Sequence, residues 1–296
     1  MPAAIVLHAL AALTYVLLLT VMLAVLLRPL AAVDSASPNA AAPTTSTAHL
    51  GWPGRSALLL ALLLHALGLV QTIIQGSQLY LGWSLALSVA ICLGMMVFWL
   101  ESLVMRIDGL LVLLLPVAAL ITAQTALFPD NRLIANASNG WLRLHLLIAL
   151  IAYGLTTVSA LQALLMAALD NTLHRPPQAQ MRGWRGIIQR VLDAMPPLLT
   201  QEHLLFRLIA ISFFALTLTV LSGVQVSMQL LGQVFVLDHK TVFSLLSWLT
   251  FACLLLGRYA WGWRGRRALR GTLLGFAFLI LSYSGTHFVL DVILKR

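Results

Sequence analysis

The chain has 296 residues, of which 60% are hydrophobic and 9% charged, with a mean hydropathy of +0.95. Soluble domains carry charge on about a quarter of their residues, so this composition excludes a soluble globular protein and points to a chain embedded in a bilayer. The net charge of +9 is spread over loops without a basic patch interleaved with aromatics, which excludes nucleic acid as a partner and suits anionic membrane lipids.

Apolar runs of about 18 or more residues mark spanning helices, and their continuity rules out a barrel. Eight spans are expected, at 4–27, 56–75, 79–99, 109–127, 141–169, 205–230, 240–257 and 269–294. The fold class is therefore all-α, a polytopic membrane helix bundle. The first span lacks a positive n-region and is too long for the apolar part of a secretion signal, so residues 1–30 read as an N-terminal transmembrane helix. Residues 31–54, including AAVDSASPNAAAPTTSTA, are small and polar and read as a flexible cytoplasmic linker. The membrane core then occupies 55–296.

Within that core, Glu101, Arg106 and Asp108 punctuate the join between the third and fourth spans, and Pro116 is expected to kink the fourth. The fifth and sixth spans exceed what a bilayer requires and should tilt or project. Between them, in QAQMRGWRGIIQRVLDAM (178–195), apolar residues recur at helical spacing with Arg182, Arg185 and Arg190 elsewhere on the wheel. That pattern suits a helix lying on the cytoplasmic membrane face, and equally a loop helix packed on the bundle.

Orientation follows from the basic residues, which concentrate on the cytoplasmic side. Of the 18 Lys and Arg, one side holds only Arg132, Arg143, Lys240, Lys295 and Arg296. Both termini are therefore expected outside.

Cys92 and Cys253 lie in separate spans and form no CxxC pair, so neither a disulfide nor a thiol metal site is indicated. No CxxCH, Walker A, HExxH or GxSxG pattern occurs, which argues against an enzyme that hydrolyses substrates or consumes ATP. What remains are histidines. His65 lies in LLLHALGL, roughly 15 Å from either surface, whereas His145, His239 and His287 fall in the outer half of the bilayer. Neutral imidazole is a good axial ligand for haem iron, and an apolar bundle suits a porphyrin. No other metal is indicated, since such sites usually add carboxylate or thiolate. Against this stands the plainer role of a buried histidine, hydrogen bonding between helices. His8, His49, His174 and His203 carry no argument of their own.

LHALGL with His65, WLRLHLLIALIAYGLTTVSALQALLMAALD with His145, and the stretch from LDHKTVFS through GWRGRR to HFVLDVIL resemble the membrane core of the cytochrome c assembly family. The similarity covers about residues 55–294 and is greatest to the small YpjD-like branch, beside the CcsA and CcmC type haem-handling proteins. The resemblance implies a bacterial inner-membrane, multi-pass protein. It also implies that His65 matches an intramembrane haem ligand and His145 an outer one. The family's tryptophan-rich segment is missing between the sixth and seventh spans, where QLLGQVFVLDHKT stands, and Arg258 occupies the second intramembrane histidine position. His239 and His287 lie near the outer surface without matching family ligands.

Two functions follow. The first is a non-enzymatic protein that binds b-type haem non-covalently through His145 and His239, with His65 as an internal ligand or anchor and His287 the weakest candidate. It would assist cytochrome c biogenesis beside other membrane proteins of that assembly. The second is an accessory or scaffold protein that has lost haem handling, its histidines structural.

Overall fold

The computed structural model describes residues 2–26, 51–75, 78–104, 108–128, 133–134, 138–173, 197–234 and 238–287. These form α1 (Pro2–Leu26), α2 (Trp52–Ile73), α3 (Trp83–Val104), α4 (Leu111–Leu127), α5 (Gly140–Leu173), α6 (Leu198–Leu231), α7 (His239–Trp261) and α8 (Arg266–His287). The all-α expectation holds, apart from a two-residue antiparallel pairing of β1 (Ile74–Gln75) with β2 (Gln78–Leu79).

By length and composition, α1, α2, α3, α5, α6 and α7 suffice to cross a membrane. The two remaining expected spans differ. The α4 helix has 17 residues and reaches only about 25 Å, somewhat less than a hydrocarbon core. The α8 helix opens with Arg266, Arg267 and Arg270, which shortens its apolar part. The long α5 and α6 helices, at 34 residues each, reach about 50 Å, more than a hydrocarbon core requires, as their sequences suggest. Trp52 to Gly54, expected in the linker, belong to α2, where Pro53 is accommodated in the first turn, in which no intrahelical N–H partner exists. The rest of that linker from 31 to 50, the segment 178–195 and the end of the last span beyond 287 lie outside the described residues.

Local chemistry sets the helix ends. Asn139 Oδ1 accepts from the amides of Trp141 (2.9 Å) and Leu142 (3.3 Å), which starts α5. Asp238 caps α7 by accepting from the Thr241 amide at 2.8 Å. Gly232 ends α6 in the left-handed region at φ 66°, its amide donating to Met228 O, a conformation glycine adopts without Cβ strain.

The helices pack in two groups. Tyr15, Leu58, Leu62, Leu85, Met95, Phe98 and Leu114 fill the core among α1 to α4. Ala152, Leu155, Leu205, Ile209, Phe251 and Leu254 fill that among α5 to α8. The seam between the groups runs along α3 and α5, where Gly94 and Gly154 let the backbones touch. A Cβ at Gly94 would sit 2.8 Å from Gly154 O, and one at Gly154 would overlap Ala90 O. Small residues permit such approach in membrane bundles, where packing rather than water exclusion drives association.

Ion pairs collect at one end of the bundle. Arg207 meets Glu101 at 3.1 Å, Arg258 meets Glu202 at 2.7 Å, Arg264 approaches Glu202 at 3.6 Å and Arg266 meets Asp170 at 3.0 Å. This is the end that the basic-residue rule makes cytoplasmic. His8, His145 and His239 lie toward the opposite end, near which Ile134 N donates to Leu79 O at 3.0 Å and ties two connections together.

Candidate functional site

Two histidine environments stand out, one in each helix group. In the first, His65 on α2 is completely buried. The Tyr15 hydroxyl from α1 lies 3.3 Å from its Nδ1, while Ser88 Oγ from α3 lies 2.8 Å and Thr122 Oγ1 from α4 lies 3.4 Å from its Nε2. One imidazole thus links four helices, with both nitrogens engaged. Unpaired polar groups are costly in an apolar interior, which explains why three hydroxyls converge here.

His8 stands edge-on to His65, ring centroids 6.0 Å apart, and its Nε2 lies 3.3 Å from Thr72 Oγ1. Its ring abuts Gly68, where a Cβ would meet His8 Cε1 at 3.1 Å. Among the described residues its buried Nδ1 has no partner. His8 and Tyr15 are the functional-looking residues that sequence reasoning passed over. The signal was available: Ala4, His8, Ala11, Tyr15 and Met22 recur at helical spacing on α1, and all five are buried.

In the second group, His145 on α5 is half-buried beside α6. Its Nδ1 lies 2.9 Å from Ser222 Oγ. The Ser222 hydroxyl donates its proton to Thr219 O at 3.1 Å, so toward the imidazole it acts as acceptor. In the tautomer that this bond favours, Nδ1–H donates to Ser222 and the lone pair sits on Nε2. The ring rests over Gly223, where a Cβ would come within 3.2 Å of Cε1. A hydrogen bond that fixes the tautomer of a histidine is what orients such residues toward iron or other metals. Farther down the same helix pair, Ser159 meets Ser212 at 3.1 Å and Gln162 Nε2 donates to Gln201 Oε1 at 3.3 Å, holding α5 and α6 in register.

The other sequence candidates are less integrated. His239 is the first residue of α7 and is exposed, and among the described residues no hydrogen bond or ring contact joins it to His145. Partial burial alone would raise the carboxyl of the neighbouring Asp238. The Thr241 amide and hydroxyl, with Lys240, outweigh that and hold it below the usual carboxylate range. His287 ends α8. Arg258, in place of a histidine that the resemblance calls for, is held at the opposite end by Glu202, and its guanidinium lies 4.5 Å above the Phe206 ring. A guanidinium has no lone pair to offer a metal.

The donor set can be tested against haem. His65 does not fit, because both ring nitrogens are occupied and four helices enclose the ring. His145 does fit, as a half-buried imidazole that engages Ser222 through Nδ1 and can offer Nε2. Among the described residues no three His, Cys, Asp or Glu side chains cluster as metal ligands.

The chain is 31% identical over 188 residues to the inner membrane protein YpjD of Escherichia coli K12, covering 61% of this chain and 65% of that protein. A 28.8 kDa protein of Azospirillum brasilense is 30% identical over 219 residues, covering 72% and 76% of the two chains. The cytochrome c biogenesis protein CcsA of Gloeobacter violaceus is 31% identical over 90 residues, covering 30% and 27%. No solved structure matches. The chain's apolar helices are those of a multi-pass inner-membrane protein, the location that the name of YpjD gives. The profile of the cytochrome c assembly proteins matches residues 54–294, and the chain belongs to that family.

Proposed function

We propose that this protein binds haem non-covalently at the outer end of the α5 and α6 pair and assists cytochrome c assembly, with His145 as the residue that would hold the iron. The observation that carries the reading is the chain of contacts from Thr219 through Ser222 to His145 Nδ1, which in the Nδ1-protonated tautomer offers Nε2 as the ligand on a half-buried ring. When bound, haem would supply an iron that takes an imidazole nitrogen as ligand. The chain itself contributes binding and orientation: Ser222 holds the ring, Gly223 leaves room for it, and the apolar walls of α5 and α6 suit a macrocycle. No bond is made or broken by the protein, so the role is not enzymatic. His239, on the neighbouring end of α7, is the candidate for a second ligand. Relatives named for cytochrome c biogenesis support this reading.

A second reading, a scaffold without haem, is favoured by one observation: the intramembrane His65 is saturated by hydroxyls and acts as a helix-joining residue. An absorption spectrum of the detergent-purified protein from haem-replete cells separates the two. The haem reading expects a stoichiometric Soret band, lost in His145→Ala, His239→Ala, with haem affinity lowered roughly 10- to 100-fold in Ser222→Ala through loss of the orienting bond. Absence of a band after haem addition would leave the scaffold as the function.

A further inference from the structure

The arginine-rich turn between α7 and α8 has a charge surplus that the fold does not absorb. Among the described residues, the carboxylates that form ion pairs at this end are each committed to arginine: Glu101 to Arg207, Glu202 to Arg258 and Arg264, Asp170 to Arg266. Arg267 and Arg270 remain exposed, with no carboxylate partner among the described residues. Three positions apart on α8, they share one face. Beyond the orientation signal of basic residues, helix stability gives no reason for cations there, since they oppose the positive end of the helix dipole and no acidic residue lies in the first turn.

Beside them the turn presents aromatics. Tyr259 is 95% exposed and Trp261 72% exposed, with Trp261 stacked on Trp263 at 6.1 Å. Trp263 packs against Gly257, and its carbonyl accepts from Arg258 Nη1 at 3.3 Å. Gly262 at φ 63° makes the reversal. The turn is therefore anchored, and its free tyrosine and tryptophan lie where such rings settle among lipid headgroups.

We infer that Arg267, Arg270, Tyr259 and Trp261 form a docking surface for an anionic phospholipid of the cytoplasmic leaflet. The phosphodiester, whose negative charge no headgroup cation offsets, meets the two uncommitted guanidiniums, and the aromatic rings lie along the upper acyl region. Charge complementarity selects this occupant: the surface joins surplus positive charge to apolar rings, and an anionic lipid joins the matching parts. The inference is independent of haem binding.

The test titrates the full-length protein in mixed micelles with phosphatidylglycerol or phosphatidylcholine and reads bound lipid by native mass spectrometry. Phosphatidylglycerol should bind preferentially. The Arg267→Gln, Arg270→Gln variant should weaken it about 30-fold, roughly fivefold per arginine, and leave phosphatidylcholine unchanged. Arg267→Lys, Arg270→Lys should retain phosphatidylglycerol within about fivefold, which separates lost charge from lost fold. Equal binding of the two lipids by the wild type, or undiminished phosphatidylglycerol binding by the glutamine variant, overturns the assignment. Displacement of phosphatidylglycerol by millimolar inorganic phosphate would also overturn it, making the occupant a free anion.

Discussion

His65 and His145 show how the same side chain takes different work from its surroundings. At His65 the neighbours are three hydroxyls on three other helices, so the imidazole spends both nitrogens on holding helices together. At His145 one nitrogen is spent on Ser222 and the other is kept as an acceptor or ligand. The His65 network should therefore register in stability. Tyr15→Phe removes one hydroxyl and should cost about 0.5–1 kcal/mol, in line with interhelical hydrogen bonds in membranes. His65→Ala leaves a cavity and strands the hydroxyls, and should cost about 2–4 kcal/mol. Thermal unfolding in detergent, followed by circular dichroism, checks both. Equal small losses would show that His65 is not the hub. The sequence made His65 conspicuous by placing it in an apolar run, but it could not name Tyr15 as its partner. That pairing requires α1 to lie against α2 across the whole intervening linker.

At the scale of elements, the α3 and α5 seam is the joint between the helix groups. Its closeness depends on Gly94 and Gly154, because any Cβ at 154 would overlap the Ala90 carbonyl. Gly154→Ala should force the helices apart and cost about 1–3 kcal/mol, the usual range for overpacking. Gly140→Ala, where nothing lies within 4 Å of the new Cβ, should be neutral or slightly stabilising, since alanine has less unfolded-state freedom to lose. Comparing the two melting temperatures isolates the close approach from helix propensity. The hydropathy pattern marks α3 and α5 as membrane helices, but their mutual contact is not written in it. A lipid-facing glycine and a helix-facing one look alike in composition.

For the whole molecule, the ion pairs place the ends of α3, α5 and α7 beside the starts of α6 and α8, so one end carries the arginine surplus. With the basic residues inside, the turn after α6 lies outside. Alkaline phosphatase fused after Gly232 should be active in a bacterial host, and green fluorescent protein at the same site dark. The reverse pattern would invert the orientation and move His145 to the cytoplasmic side, where haem presentation at the outer surface loses its site.

Much of this architecture was legible from the residues alone. Apolar runs determined an all-helical membrane bundle, because backbone polar groups in lipid must be satisfied within the helix. Basic residues determined an expected orientation, whereas the helix ends at Asn139, Asp238 and Gly232 came from the structure, through short-range hydrogen bonding and backbone freedom. Tertiary structure decided which histidine is available. The tautomer of His145 depends on Ser222 and Thr219, and the saturation of His65 on Tyr15, Ser88 and Thr122. These partners sit on other helices, tens of residues away, and only packing sets which faces meet.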